Sequence, residues 1–203
     1  MKLLKKSIMK METYRVLIVA PEADARTDAR TALLDAGQSV VAEATSLTEL
    51  ESLFQQHRPE AVLLDAELLP LTAELRELLH PAALVILRPA EPDAGTLEKI
   101  AASAAFATLT KPFTPEDAGA EIALAVSRNM DLLDCNAELN KVQTRLADRI
   151  VVEKAKGLLI QHEKITEPEA FKRIHFAARR ANRTMREVAE EMITRYTEGT
   201  GGA

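Results

Sequence analysis

The segment "PEAVLLDAELLP", residues 59–70, joins a run of apolar residues to an acid and a turn marked by proline. Its apolar part, 61–66, is short and continuous rather than alternating, which is typical of a parallel strand buried on both faces. Similar runs occur at 15–20, 39–44, 83–88 and 106–110. The chain therefore has five candidate strands, and Asp65 lies where the third one ends.

Stretches with helical character separate these strands, at 24–36, 47–57, 71–79 and 93–102. Regular alternation of strand and helix predicts an α/β domain with a doubly wound, five-stranded parallel sheet. Aromatic residues make up only 3% of the chain, so its core must be aliphatic. Functional side chains in such sheets are expected at the carboxyl ends of the strands.

A single long helix is predicted over about 116–162, because no proline occurs between Pro115 and Pro168. At about 1.5 Å per residue it would be roughly 70 Å long, too long to pack fully on one small domain. Apolar residues in its middle repeat every seven residues, which is typical of a dimeric coiled coil. The predicted seam is Leu132, Cys135, Leu139, Val142 and Leu146. An amphipathic helix lying on its own domain is the alternative.

Two capping boxes predict the helices that follow. Thr166 with Glu169 opens a helix that ends near Ala181, and Thr184 with Glu187 opens another over 185–195. Together with the end of the long helix they form a small three-helix, all-α domain. The predicted organisation is a leader (1–13), the α/β domain (14–127), a coiled-coil linker (128–148), the three-helix domain (149–195) and a tail (196–203).

Charge divides the chain of 203 residues, whose net charge is −5. Residues 149–195 carry 11 Lys and Arg against 7 Asp and Glu, so the rest of the chain is strongly acidic. A basic end on an acidic body favours a partner that is a polyanion. The single cysteine excludes a disulfide within the chain and favours the cytoplasm. No apolar run is long enough for a membrane span, and the lysine-rich start predicts a frayed leader rather than a signal peptide.

Residues 14–127 resemble the receiver domain of bacterial response regulators. The resemblance rests on the strand order, on Asp65 in "PEAVLLDAELLP" and on Lys111 in "TLTKPF". It implies that Asp65 is the phosphoacceptor and that Lys111 contacts the phosphoryl group, with Mg²⁺ neutralising the remaining charge. A sensor histidine kinase is then the expected partner.

The chain departs from the receiver pattern at three other pocket positions. The acidic pair after the first strand is replaced by a single acid, Glu22, which is a poor Mg²⁺ ligand set. Arg88 occupies the position at which receivers usually have Thr or Ser, and Thr108 occupies the position of their aromatic switch residue. We therefore expect a pseudoreceiver in which Arg88 pairs permanently with Asp65. A phosphorylatable domain is the alternative, and only that alternative needs Mg²⁺; no other cofactor is expected.

The segments "RIVVEKAKGLLIQH" (149–162) and "TEPEAFKRIHFAARRANRTMREVAEEMI" (166–193) resemble the ANTAR module, the RNA-binding output domain of transcription antiterminators. One departure is His175, where the family often has arginine or another polar residue. The resemblance implies a dimer that binds a pair of hairpins in a nascent leader transcript. No membrane partner is expected.

Cations and small residues on these helices are the candidate site. The predicted RNA-binding residues are Lys154, Lys156, Arg173, Arg179, Arg180, Arg183 and Arg186. Small residues allow helices to pack closely, and we expect this of Ala155, Gly157, Ala170 and Ala189. Arginine can fork to a phosphate or stack on an unpaired base. Solvated helix faces, or ion pairs along the helices, are the alternative interpretation of the charges.

Two other functions are compatible with this organisation. One is a DNA-binding response regulator with a helix-turn-helix, although acids on the last helix disfavour a major groove. The other is a protein-binding adaptor without nucleic acid. An enzyme is not expected, because no nucleophile–base pair, glycine-rich phosphate loop or metal motif occurs outside the receiver-like pocket.

Overall fold

A computed structural model describes residues 12–198 of the chain. Residues 1–11 of the predicted leader and 199–203 of the predicted tail lie outside the described part. The chain divides into two compact units between Asp134 and Cys135. We call residues 12–134 the sheet unit and residues 135–198 the helical unit.

The order of elements is the predicted alternation followed by three helices. They are β1 (Arg15–Val19), α1 (Ala23–Asp35), β2 (Ser39–Ala44), α2 (Leu47–His57), β3 (Ala61–Asp65), α3 (Ala73–Leu79), β4 (Ala83–Arg88), α4 (Ala94–Ala102), β5 (Ala107–Thr110), α5 (Pro115–Glu163), α6 (Glu167–Ala181) and α7 (Met185–Glu198). A short 3₁₀ turn, Ala66–Leu68, follows β3. The predicted tail begins too early, because α7 continues to Glu198.

The five strands form one parallel sheet in the order β2-β1-β3-β4-β5. Every residue of β3 is buried, as its continuous apolar sequence predicted. On one face α1 and α5 contribute the fully buried Leu33 and Ile122. On the other, α2 and α3 contribute Leu50 and Leu79. Helices therefore cover both faces of the parallel sheet, which confirms the doubly wound prediction. Burial of each such aliphatic side chain stabilises the fold by about 1.5–3 kcal/mol.

Local sequence explains where the helices begin. Side chains of Ser46, Thr72 and Asp93 accept hydrogen bonds from backbone N–H groups at the starts of α2, α3 and α4. The Glu169 carboxylate accepts a 2.8 Å hydrogen bond from Thr166 N at the start of α6. Glu187 does the same for Thr184 N at the start of α7, also at 2.8 Å, so both predicted helix starts are confirmed.

The helical unit has its own small aliphatic core. Leu159 of α5, Ile174 of α6 and Val188 of α7 are buried together. Asn182 ends α6 in the left-handed region, at φ 52°, which lets the chain turn into α7. No helix within residues 12–198 has the length and apolarity needed to cross a membrane.

Candidate functional site

Asp65 lies at the carboxyl end of β3 and is 2% exposed. Its Oδ1 accepts a hydrogen bond from Glu67 N at 3.0 Å, and its Oδ2 accepts one from Lys111 Nζ at 2.6 Å. A buried carboxylate is stable only when a cation and hydrogen bonds compensate its charge. Lys111, which follows β5, supplies that compensation. The structure thus brings together the two residues on which the receiver resemblance rests.

The predicted ion pair between Arg88 and Asp65 is wrong. Arg88 Nη1 instead donates to Pro89 O at 3.2 Å. The register explains the difference, because Asp65 is paired with Leu87 and Arg88 with Thr110. Successive residues of a strand point to opposite faces, so Arg88 leaves the sheet on the face away from Asp65.

Neither of the other two predicted pocket residues has a hydrogen bond or ion pair with Asp65 among the described residues. Thr108 is paired with Ile86 and therefore shares the face of Arg88 rather than that of Asp65. Glu22 is exposed, and its side chain makes no capping hydrogen bond at the start of α1. Of the predicted pocket residues, Lys111 alone is shown in contact with Asp65.

Arg26 is a residue of this sheet edge that sequence reasoning missed. Its Nη1 donates to Ala20 O at 2.7 Å and to Pro21 O at 2.8 Å, directly after β1. Because β1 lies beside β3 and Val19 is paired with Leu64, these carbonyls occupy the strand end next to that of Asp65. A guanidinium is thus held at the strand end beside that of Asp65. Its signal in the sequence was an arginine in the first turn of the helix after β1.

The residues present do not fit Mg²⁺. The metal prefers several oxygen ligands in octahedral geometry. This edge offers one buried carboxylate, already bonded by Lys111, and carbonyls already bonded by Arg26. Within residues 12–198 no group of three or more His, Cys, Asp or Glu side chains could hold a metal ion.

In the helical unit, close packing is achieved by alanines. Ala155, Ala170 and Ala189 are fully buried. Gly157 does not share this role, because it is exposed and a Cβ added there would meet no atom within 4 Å. It leaves an uncovered patch on α5 instead of a helix contact.

Lys156 is a structural lysine, contrary to the prediction that it binds RNA. It is 6% exposed, and its Nζ donates to Glu167 of α6 at 2.7 Å and to both carboxylate oxygens of Glu153. These hydrogen bonds, first the one to Glu167 and then those to Glu153, raise the pKa of Lys156. The bond from Lys156 lowers the pKa of Glu167 in turn. The lysine therefore joins α5 to α6.

Three predicted RNA-binding arginines are also paired within the helical unit. Arg173 forms an ion pair with Glu163. Arg183 bonds Glu191 at 2.7 Å. Arg186 reaches both Glu190 at 2.9 Å and Asp148 of α5 at 3.1 Å. These pairs engage Glu190 and Glu191 of α7.

Three predicted cations remain without an ion pair among the described residues: Lys154, Arg179 and Arg180, all exposed. Arg179 and Arg180 lie on one face of α6. Residues four positions apart are neighbours on a helix, so Arg179 follows positions 171 and 175, and Arg180 follows positions 172 and 176. We call this face the α6 outer face; it consists of Phe171, Lys172, His175, Phe176, Arg179 and Arg180.

Its aromatic members were missed by sequence reasoning. Phe171 is 46% and Phe176 63% exposed. The His175 ring lies 6.2 Å from that of Phe171 and 5.9 Å from that of Phe176, measured between ring centroids. Exposed aromatic side chains grouped in this way indicate an interaction surface, and such rings are able to stack on unpaired bases. The sequence does contain a signal for this face, because two aromatic residues occur on the polar side of an amphipathic helix.

The predicted dimer seam is an exposed apolar stripe on α5. Leu139, Val142 and Leu146 are 53–59% exposed, and Cys135 is an exposed free thiol. Ile150, at 60%, extends the stripe beyond the predicted residues. Leu132 belongs to the sheet unit, since that unit extends to Asp134 rather than ending at 127.

Comparisons with known proteins match both units. The ANTAR domain family matches residues 140–193. Transcriptional regulatory protein PdtaR of Mycobacterium tuberculosis, from strains CDC 1551 / Oshkosh and ATCC 25618 / H37Rv, is 33% identical over 184 residues, which cover 88% of this chain and 89% of that protein. The chain belongs to the PdtaR family of response regulators.

A solved structure supports the same architecture for the sheet unit of this PdtaR relative. The signal receiver domain of a modulated diguanylate cyclase from Desulfovibrio desulfuricans G20 aligns with a TM-score of 0.52 at 20% identity, covering 59% of this chain and 98% of that domain. That likeness shows the fold alone.

Membership of the PdtaR family confirms the resemblance stated from the sequence, with a receiver-like domain followed by an ANTAR domain. The chain is an RNA-binding response regulator. The ANTAR match begins at residue 140, within the predicted linker, so part of the apolar stripe belongs to the ANTAR domain.

Proposed function

We propose that this regulator is a dimeric transcription antiterminator, each copy binding one of two hairpins in a nascent leader RNA. The observation that carries the proposal is the α6 outer face, where unpaired cations stand beside exposed aromatic rings. Proteins recognise RNA chiefly at loops whose unstacked bases can lie on aromatic or guanidinium planes. Two such faces in one dimer raise the affinity for RNA with two loops.

Dimerisation is proposed through the apolar stripe of α5. Leu139, Val142 and Leu146 repeat at the spacing of a coiled coil, and together with Ile150 they expose more apolar surface than a solvated helix needs. Leu146→Glu should give a monomer in sedimentation velocity. Thr144→Glu is the matched control, because Thr144 is exposed on another face and bonds only Asn140 O of its own helix. Equal dimer content in both variants would exclude this interface.

RNA binding is tested with fluorescence anisotropy on a two-hairpin RNA, a single hairpin and duplex DNA. Arg179→Glu with Arg180→Glu should abolish binding to both RNAs while leaving the helical content unchanged. The control is Arg30→Glu with Lys99→Glu, which changes the net charge equally but lies in the sheet unit. Binding that survives the first pair, or is lost in both, contradicts the assigned surface. A preference for duplex DNA would instead favour the DNA-binding alternative.

The sheet unit is proposed to be a pseudoreceiver, regulated without Mg²⁺-dependent phosphoryl transfer to Asp65. Support comes from Arg26 on the Ala20 and Pro21 carbonyls and from the lone carboxylate bonded by Lys111. A sensor histidine kinase would be the partner only of a phosphorylatable domain. Incubation with acetyl phosphate and Mg²⁺, followed by mass spectrometry, should leave the mass unchanged. Stable aspartyl phosphate at Asp65 would overturn the proposal.

A further inference from the structure

An apolar groove runs between α2 and α3 of the sheet unit toward the amino ends of β3 and β4. Its wider part is a cavity of 810 Å³, lined by Phe54 of α2, Pro81, and Val126 and Met130 of α5. A smaller cavity of 200 Å³ adjoins it, because Leu78 of α3 lines both. We call the two cavities together the α2–α3 groove. Met130 is 57% exposed, so the apolar wall is open to a partner.

The rim of the α2–α3 groove is acidic. Glu60 lines the larger cavity, and Glu51 and Glu74 line the smaller one. Arg58 adds a single positive charge to these linings. Neither Glu51 nor Glu74 has an ion pair with any residue of the part that the structure describes. An apolar groove with an acidic rim fits an amphipathic helix whose polar face is basic.

The first strand begins beside this groove. Arg15 N donates to Glu60 Oε2 at 2.9 Å, and Glu60 N donates to Arg15 O at 2.8 Å. The Arg15 guanidinium also donates to the carbonyl of His57, the last residue of α2. These bonds hold the start of β1 against a residue of the groove lining. Residues 1–11 therefore join the sheet unit next to the groove.

The sequence of residues 1–11, "MKLLKKSIMKM", is complementary to the groove in pattern and in charge. Leu4, Ile8 and Met11 have the i, i+4, i+7 spacing of one helix face. None of the four lysines falls on that face, and the segment contains no acid. An isolated helix of this length, about 16 Å, is marginal in water. It becomes stable only where its apolar face is buried.

We propose that residues 1–11 fold back as an amphipathic helix into the α2–α3 groove of their own chain, instead of forming the frayed leader predicted from composition. The apolar face of this helix packs against Leu78 and Met130, and its lysines lie toward Glu51 and Glu74. Met130 lies on α5, which continues without interruption to Glu163. The leader therefore contacts the helix that leads into the helical unit.

Paramagnetic broadening in the full chain tests this contact. A nitroxide is attached through Lys6→Cys in a Cys135→Ser background, so that the label occupies one position, since Cys135 is the single cysteine. The ¹³C methyl signal of Met130, assigned with Met130→Leu, is compared before and after the nitroxide is reduced. A docked leader should broaden this signal strongly until the nitroxide is reduced.

Two matched pairs of variants separate docking from random encounters. Ile8→Glu and Met9→Glu change the charge equally, but Ile8 lies on the apolar face and Met9 on the opposite side. Ile8→Glu should restore the Met130 signal, and Met9→Glu should leave it broadened. Glu51→Lys on the rim should likewise restore intensity, whereas Glu98→Lys on α4, outside both linings, should not. Circular dichroism verifies that each variant is folded.

Three outcomes would overturn the proposal. The first is a Met130 signal that the nitroxide does not change, and the second is an equal effect of Ile8→Glu and Met9→Glu. The third is broadening in a mixed sample in which one copy carries the nitroxide and the other carries ¹³C, because the leader would then occupy the groove of a second copy. None of these measurements involves RNA, so they are independent of the proposed RNA-binding function.

Discussion

Replacing Gly157 by alanine should stabilise the protein. Gly157 lies inside α5, it is exposed, and an added Cβ would meet no atom within 4 Å. Alanine therefore gains its full helix propensity over glycine, about 1 kcal/mol, with no steric penalty to subtract. At room temperature that gain raises the ratio of folded to unfolded protein about fivefold, since about 1.4 kcal/mol corresponds to tenfold.

Urea denaturation at one fixed protein concentration measures this gain. Gly157→Ser provides a graded control, because serine has an intermediate helix propensity and should recover only part of the increase. The order of stability should be alanine, then serine, then glycine. A Gly157→Ala protein that is less stable than its parent would show that the glycine is not surrounded by open space.

The same substitution should weaken RNA binding. The native chain keeps glycine at a position where alanine would be more stable. This is expected where a ligand approaches the helix backbone so closely that a methyl group would be in the way. Lys154 lies one turn earlier on α5 and carries no ion pair among the described residues. Anisotropy with the two-hairpin RNA should show lower affinity in Gly157→Ala despite its higher stability. Unchanged affinity would exclude RNA contact at this patch, and loss of dimer in sedimentation would assign the patch to the partner helix.

Other contacts predict equally specific outcomes. Lys156→Met should lower the urea midpoint because it removes the bonds to Glu153 and Glu167, whereas Lys154→Met should leave the midpoint unchanged and weaken RNA binding. Lys111→Met should lower the free energy of unfolding by about 3–5 kcal/mol because it leaves Asp65 buried without its cation. Adding Asp65→Asn to that variant should restore most of the lost stability. If urea denaturation showed that the losses of the two single variants simply add, the energetic coupling between Asp65 and Lys111 would be refuted. Lowering the pH should reduce helical circular dichroism in the helical unit, since Thr166 N and then its hydroxyl hold the pKa of Glu169 below its usual range. That contribution is present above the unfolded pKa of about 4.3 and is lost as the pH falls through the lower folded value. Glu169→Gln should reduce this pH dependence without abolishing it, because the pKa values of Glu167 and Glu187 are lowered as well.

Hydrophobic periodicity predicted the fold because it is local. A continuous run of apolar residues such as 61–66 is compatible with few structures other than a strand covered on both faces. A capping box likewise predicts the residue at which a helix begins. The long helix followed from the absence of proline, and it ends at Glu163, close to the predicted end.

The candidate site was predicted less well because ion pairs depend on tertiary contacts. Arg186 bonds Asp148, 38 positions earlier, and Lys156 bonds Glu167 across a turn. Neither of these two partners can be read from spacing. Four of the seven predicted cations are paired: Lys156, Arg173, Arg183 and Arg186. The strand register likewise decided between Lys111 and Arg88 as the cation for Asp65, and a register cannot be read from one strand alone.

The internal pairing of these arginines has a consequence for counterion release. If Lys154, Lys172, Arg179 and Arg180 each contact one phosphate, the logarithm of the binding constant should fall with the logarithm of salt at a slope of only about −3 per chain. Doubling the salt concentration would then lower the RNA affinity of each chain about eightfold. The decrease would be far larger for a surface on which every cation contacted a phosphate. Discrimination among transcripts would accordingly depend on loop shape and stacking, and it would persist at salt concentrations that release purely electrostatic binders.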